Sequence, residues 1–214
     1  MSGSVKRDYR STLRAAQAAG TRRSIVAAAA RLFIADGYGS TTIDGVADSA
    51  GVSRKTVFSA VGGKLDLLKT ALDWAVAGDE EPVAMANRPA IRDLLALEDP
   101  AALVAQWAHV LVEIDVRVAG LFRALEVAAD GDDEARRLLD EFRGQRLVDA
   151  RAVVKCLATL DALSETLSRA DATDVAWLAT DPLLFDRLVR GRGWSVGKFE
   201  RWLARTLIGQ LIQA

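Results

Sequence analysis

Apolar residues recur along the chain at intervals of three and four, and no segment shows the strict alternation that marks a β-strand. The first stripe predicts a helix over about 21–35, which Thr21 would cap and Asp36-Gly37 would end. Its apolar members are Ile25, Ala29, Leu32 and Phe33. Three short helical segments are predicted after it, near 42–50, 53–60 and 64–78.

Three of the four prolines fall within 82–100, and they predict a broken connector between two parts of the chain. The longest apolar stripe follows at 101–128, and a second long helix is predicted over 133–164, with Gly144 as a possible bend. Shorter helices are predicted at about 172–179, 183–191 and 196–213. The pattern therefore predicts an all-α protein of about nine helices, a small head on a larger C-terminal bundle.

The segment 43–62 has the spacing of two short helices that cross at a tight turn. Ala47 is small enough for the second helix to approach the first, and Gly51 can adopt the positive φ of the turn. Val57 would be the inward residue of the second helix. Ser53 can cap that helix, and Thr41 with Asp44 has a spacing like that of a capping box. The head is thus predicted to be a three-helix domain with a helix-turn-helix.

The outer face of the second helix carries donors suited to phosphates and to base edges in the major groove, namely Arg54, Lys55 and Thr56. Helix N-termini near Thr42 and Lys64 could offer backbone N–H groups to phosphate oxygens. Residues 1–70 hold eleven Lys and Arg against five Asp and Glu, a net +6, whereas the whole chain carries −1. A basic head on an acidic body favours a polyanionic partner at one end, nucleic acid before membrane.

Composition excludes several classes of protein. With 214 residues, 50% of them hydrophobic, the chain can bury a real core. The only cysteine, Cys156, and the only histidine, His109, exclude an intramolecular disulfide and the common cysteine and histidine metal sites. We find no catalytic or cofactor-binding motif, so we expect no catalytic residues, no metal and no cofactor. No apolar run is long enough for a membrane span or a signal peptide, which favours a cytoplasmic location.

These motifs resemble the TetR family of transcriptional regulators over about 21–74. The matching features are Gly37-Tyr38, Thr41-Thr42, the run Ala50-Gly51-Val52-Ser53, and Lys64 at the start of a fourth helix. The resemblance implies a homodimer that binds a palindromic operator and releases it when a small molecule enters the C-terminal bundle. It divides the chain into a basic arm (1–20), a DNA-binding domain (21–79) and a ligand-binding and dimerisation domain (80–214). The expected DNA contacts are Thr41, Thr42, Ser53, Arg54, Lys55, Thr56, Phe58 and Lys64.

The chain departs from the family pattern where Phe58, Ala60 and Val61 replace a tyrosine and a following His-Phe pair. Each lost polar contact to phosphate would weaken DNA binding by about 1 kcal/mol. Two alternatives to a repressor therefore stay open. One is an adaptor whose helix-turn-helix no longer binds DNA, and the other is an enzyme that uses the bundle as a cavity.

Asp115 interrupts the apolar stripe of the longest helix, where a carboxylate is costly unless it is paired. The favoured interpretation is a structural ion pair with Arg146 or Arg151. The alternative makes Asp115 the polar anchor of a ligand pocket lined by Trp107, Phe122 and Trp177. We expect His109 to be solvated on the polar side of the same helix, and Cys156 to be inert core.

The last helix carries an apolar face that could pack inward or join a second copy of the chain. Its members are Phe199, Trp202, Leu203, Leu207 and Leu211. In the dimer interpretation this face, together with the 183–191 segment, forms an intersubunit four-helix bundle.

Overall fold

The computed structural model describes residues 3–81 and 87–213, with side chains from residue 14 onward. This part of the chain is all-α, as predicted, and holds ten α-helices. The head comprises α1 (Gly3–Ser40), α2 (Ile43–Ala50), α3 (Arg54–Ala60) and α4 (Lys64–Ala77). The body comprises α5 (Pro89–Leu95), α6 (Pro100–Ala129), α7 (Asp133–Thr159), α8 (Arg169–Ala179), α9 (Pro182–Phe185) and α10 (Val196–Leu211). A π-helical segment, Asp186–Gly191, continues α9.

Helix α1 differs from the sequence prediction at its start. It begins at Gly3 and passes Thr21 without interruption, so the predicted beginning at Thr21 is wrong, and residues 3–20 belong to α1 rather than to a separate arm. The side chains of Lys6, Arg7 and Arg10 lie outside those described. At the other end Gly37 has φ 79°, and this left-handed residue interrupts the helical backbone as predicted.

The connector and the second long helix also differ from the prediction. A short helix, α5, begins at Pro89, because proline is favoured in the first turn, where its missing N–H costs nothing. Helix α7 passes Gly144 without a break and ends at Thr159, and Asp161 follows it with φ 53°. Residues 82–86 of the proline-rich segment lie outside the described ranges.

Helix α6 belongs to both hydrophobic cores, and so it joins the head to the body. Its C-terminal half packs on α1 and α4, and its Leu121 and Leu125 belong to the same buried core as Phe33, Val46 and Leu68 of the head. Its N-terminal half packs with α7, α8 and α10 in the second core. Burial of these apolar side chains is the main source of stability for both parts.

The apolar face of α10 packs inward against the second core of its own protomer. Phe199, Leu203, Leu207 and Leu211 are all at most 1% exposed, and Trp202 is half-buried. Because these side chains already fill the protomer, the interpretation of this face as the dimer surface is wrong. The 183–191 segment packs mainly on α6 and the start of α10.

At Gly120 helix α6 lies close to α1. A Cβ at this position would lie 3.1 Å from Cγ1 of Ile34 and 2.5 Å from a guanidinium nitrogen of Arg190. The absence of a side chain therefore lets the first helix of the head lie directly on the body.

Within the described ranges no helix combines the length and the apolar character that a membrane span requires.

Candidate nucleic-acid interface and ligand cavity

Helices α2 and α3 form the predicted helix-turn-helix. Thr42 caps α2, since its Oγ1 accepts from the Gly45 N–H at 3.0 Å, so the cap lies one residue after the predicted Thr41. Gly51 turns the chain with φ 67°. Ser53 caps α3 by accepting from the Thr56 N–H at 3.1 Å, and Val57 is fully buried below. The inner face is thus fixed by packing and caps, and the outer face is left to solvent.

The outer face of α3 is cationic at its start and apolar one turn later. Arg54 is exposed, and its Nη1 donates to Asp44 Oδ2 of α2 at 2.7 Å. Its guanidinium lies 5.6 Å from the ring centroid of Phe58, which is 47% exposed. Lys55 is exposed beside it. The ion pair and the ring hold Arg54 over the helix surface, and Lys55 projects as a solvated charge.

Two of the predicted contact residues are turned away from this surface. Thr41 is 3% exposed, and its hydroxyl donates to the Gly37 carbonyl at 2.8 Å. Lys64 Nζ donates to the Gly39 carbonyl at 3.2 Å and lies 4.3 Å from the ring centroid of Tyr38. Burial lowers the pKa of Lys64. Both side chains stabilise the junction of the head helices. Thr41 is buried there, whereas Lys64 stays half-exposed.

A cavity of about 150 Å³ lies between α4, α5, α6 and α7. Three of the four side chains predicted for a pocket line it, namely Trp107, Asp115 and Phe122. Trp177 does not line it. Its Nε1 donates to the Arg143 carbonyl at 3.2 Å, and its ring lies 5.3 Å from the guanidinium of Arg146. Trp177 therefore supports a wall of the cavity from behind.

Asp115 does not form the ion pair that the sequence favoured. It is 3% exposed, and Oδ2 has no hydrogen-bond partner. Arg151 is exposed, and Arg146 instead donates to Thr180 Oγ1 at 3.0 Å and lies 3.9 Å from Asp181. Burial raises the pKa of the Asp115 carboxyl well above its ordinary value, and the charge of Arg146 acts in the opposite direction. The carboxyl group is thus a buried polar group without a partner, on a largely apolar wall of the cavity.

The sequence did not identify two charged residues of the cavity lining. Arg146 was considered only as a partner of Asp115, and Asp149 was not singled out. Asp149 accepts from Gln145 Nε2 at 3.0 Å, and burial raises its pKa. The signal was available, because 145, 146, 149 and 153 follow the i, i+3, i+4 spacing of one helical face.

The structure also revises the environments of the single histidine and cysteine. His109 is not simply solvated, since its Nδ1 lies 2.8 Å from Glu200 Oε1 of α10. Cys156 is half-buried rather than core, with its Sγ 3.8 Å from the Leu95 carbonyl oxygen. Among the described residues, no group of three His, Cys, Asp or Glu side chains could hold a metal ion.

Comparison with known proteins places the helix-turn-helix in a family. The model for the bacterial regulatory proteins of the tetR family matches residues 25–71, which run from α1 into α4. The HTH-type transcriptional regulator SrpR of Pseudomonas putida is 41% identical over 58 residues. That match covers 27% of this chain and 27% of SrpR, so the chain spans about a quarter of the curated relative.

Solved structures extend the likeness to both parts of the fold. NalD, the secondary repressor of the MexAB-OprM multidrug efflux pump in Pseudomonas aeruginosa, superposes with a TM-score of 0.62 at 17% identity, over 91% of this chain and 97% of NalD. PfmR of Thermus thermophilus, a TetR family transcriptional regulator, gives 0.61 at 18% identity, over 89% and 96%. The helix-turn-helix over residues 25–71 is thus similar to that of the tetR family of bacterial regulatory proteins, the family that the sequence motifs resemble.

Proposed function

We propose that this protein is a one-component transcriptional repressor that binds a palindromic operator as a homodimer and is released by a small molecule. The observation that carries the proposal is the outer face of α3. It presents Arg54, Lys55 and Phe58 to solvent on a helix whose inner side is fixed by Val57. The term repressor follows NalD, a protein of the same fold that is described by that role.

The exposed groups of the head match the chemistry of the major groove. Lys55 and Arg54 donate to phosphates or to guanine, and Phe58 offers an apolar contact to a thymine methyl group. The N-terminus of α2 follows Thr42, and its first N–H groups and dipole favour a phosphate oxygen there. Asp44 holds Arg54 at 2.7 Å, so operator binding exchanges this ion pair for a contact with DNA.

A homodimer would contact a longer stretch of DNA than one head can reach. Helix α3 has seven residues and is only about 10 Å long, so a single copy reaches few base pairs. Two copies related by a two-fold axis would read half-sites about 34 Å apart. We place the contact on the outer side of α8 and α10, which pack side by side and expose Leu178 at 56%. A second such pair would complete a four-helix bundle.

Helix α4 provides the route from the cavity to the head. Leu67 and Leu68 at its start are buried in the head core, whereas Leu72 and Val76 line the cavity. Its end is held from α6, where Arg117 Nε donates to the Ala75 carbonyl at 2.7 Å. A ligand that moves α4 or α6 therefore moves the heads relative to each other, and the spacing of the α3 helices no longer fits one operator.

The proposal is tested by fluorescence anisotropy with duplex DNA from the region flanking the protein's own gene, over a range of salt concentrations. We expect binding whose logarithm falls linearly with the logarithm of the salt concentration. Lys55→Ala removes one phosphate contact from each protomer, so the slope should decrease by about 1.8. Lys155→Ala is the matched control, because Lys155 is an exposed lysine of α7, outside the helix-turn-helix.

An unchanged slope in Lys55→Ala would contradict a phosphate contact by Lys55. Salt-independent or absent binding by the purified protein would favour the adaptor that has lost DNA binding.

A further inference from the structure

The polar groups that line the cavity differ in whether the protein itself satisfies them. Arg146 donates to Thr180 Oγ1 and to the Trp177 carbonyl oxygen. Asp149 accepts from Gln145. The described residues give the Asp115 carboxylate no hydrogen bond and no ion pair, and its Oδ2 is fully buried. Among these three charged side chains of the lining, Asp115 is therefore the one that the described residues leave without a partner.

The rest of the lining is apolar and partly aromatic. Trp107, Phe122 and Phe142 contribute ring surfaces, and most of the other lining side chains are Leu, Ile and Val. Aromatic faces attract cations and repel anions, and Phe122 already carries the guanidinium of Arg146 at 5.6 Å. Such walls favour a ligand with a largely apolar body.

The charged side chains that face the cavity indicate the sign of the charge that a ligand would carry. Asp115 and Asp149 are two carboxyl groups against the single guanidinium of Arg146. Arg146 is turned toward the α8–α9 corner, where its Nε donates to Thr180, its Nη2 donates to the Trp177 carbonyl oxygen, and its charge lies 3.9 Å from Asp181. An anion would be repelled by the ionised Asp115 or would hold it protonated, whereas a cation would stabilise the ionised carboxylate that burial disfavours.

We propose that the cavity binds an organic cation with an apolar body, and that the Asp115 carboxylate is its counter-ion. This inference rests on the proposed function, because it names the chemical class of the small molecule that would release the operator.

A pair of isosteric probes tests the charge separately from the shape. Benzyltrimethylammonium carries a permanent positive charge, and neopentylbenzene has the same shape with carbon in place of nitrogen. Binding to the full chain without DNA is measured by thermal shift for both compounds and by calorimetry for the cation. At pH 8 we expect the cation to bind at least tenfold more tightly than its neutral isostere.

Asp115→Asn keeps the shape of the side chain and removes its charge. We expect the variant to lose the tenfold preference through weaker binding of the cation, with binding of neopentylbenzene unchanged. Glu113→Gln is the matched control, because Glu113 is an exposed carboxylate on the same helix. It should bind both probes as the parent does. A melting curve of each variant confirms that it is folded.

The inference is overturned if the neutral isostere binds as tightly as the cation, or if Asp115→Asn keeps the preference. It is also overturned if 4-phenylbutyrate, an anion of similar size, binds more tightly than the cation. If operator binding is intact in these cases, the proposed function stands without the cation. If the cation binds through Asp115 but the protein binds no duplex DNA, the proposed function fails and the ligand site remains.

Discussion

Replacing Asp115 by asparagine should increase the free energy of unfolding at neutral pH, although the residue lies in the middle of the longest body helix. The carboxylate is 3% exposed and its Oδ2 has no partner, so the folded state pays to keep it charged. Asparagine has nearly the same shape and carries no charge. Because the amide is also a buried polar group, the gain comes from removing the charge alone, and we expect it to be on the order of 1–3 kcal/mol.

The pH dependence gives this prediction its sign. Burial raises the pKa of Asp115 in the folded state above the ordinary 3.8. At a pH between these two pKa values, Asp115 is protonated in the folded chain and ionised in the unfolded chain. The stability of the parent therefore falls as the pH rises from 3.8 through the folded pKa, and it is level above that. Each unit of difference between the two pKa values costs the parent about 1.4 kcal/mol. The advantage of Asp115→Asn should be largest near pH 8 and should close toward pH 4.

The assay is denaturant or thermal unfolding of the parent, Asp115→Asn and Glu113→Gln between pH 4.5 and 8. A gain of 1 kcal/mol corresponds to a rise of about 3 °C in the Tm of a chain of this size. The charged neighbours Arg146, Asp149 and Asp181 are the same in all three proteins, so their titration largely cancels in the differences. A destabilised Asp115→Asn at pH 8, or an advantage that does not depend on pH, would refute the reasoning.

Three further predictions concern the head, the junction and the dimer. Thr41→Val should lower the free energy of unfolding by about 1 kcal/mol and leave operator affinity unchanged, since the hydroxyl is used inside the head; weaker DNA binding by a stably folded variant would contradict this. Arg117→Ala removes the hydrogen bond that holds the end of α4 to α6, so ligand binding should no longer reach the head. Operator affinities measured by anisotropy without and with ligand should then become nearly equal. If the proposed dimer forms through Leu178, Leu178→Glu should sediment as a monomer in analytical ultracentrifugation, whereas Val148→Glu, at a site of similar exposure (55%), should not change the oligomeric state. A dimeric Leu178→Glu would contradict this interface.

The elements that the sequence predicted best are those whose ends are set by local chemistry. Helices α2 to α4 begin and end within one residue of the prediction, because Thr42 and Ser53 cap them and Gly51 supplies the turn between them. The extension of α1 back to Gly3 has no such signal. Helix α5 is too short for an apolar stripe, and only Pro89 marks its beginning.

The cavity was harder to predict, because the identity of its lining residues depends on which faces of the helices pack against each other. The stripe of α6 placed Trp107, Asp115 and Phe122 on one wall, but the sequence cannot say that Arg146 turns toward Thr180 instead of Asp115. The apolar face of α10 illustrates the same limit. An amphipathic stripe looks identical whether it packs on its own protomer or on another copy.

The close approach at Gly120 has a consequence for protein engineering. A hybrid that combines the head of one relative with the body of another would bring together an α1 surface and an α6 surface that did not evolve to fit each other. A recipient with any side chain at 120 would press against Ile34 and Arg190, and a donor with a smaller residue at 34 would lose the apolar contact over this position. Hybrid sensors built on this scaffold should therefore inherit residues 34, 120 and 190 from the same parent.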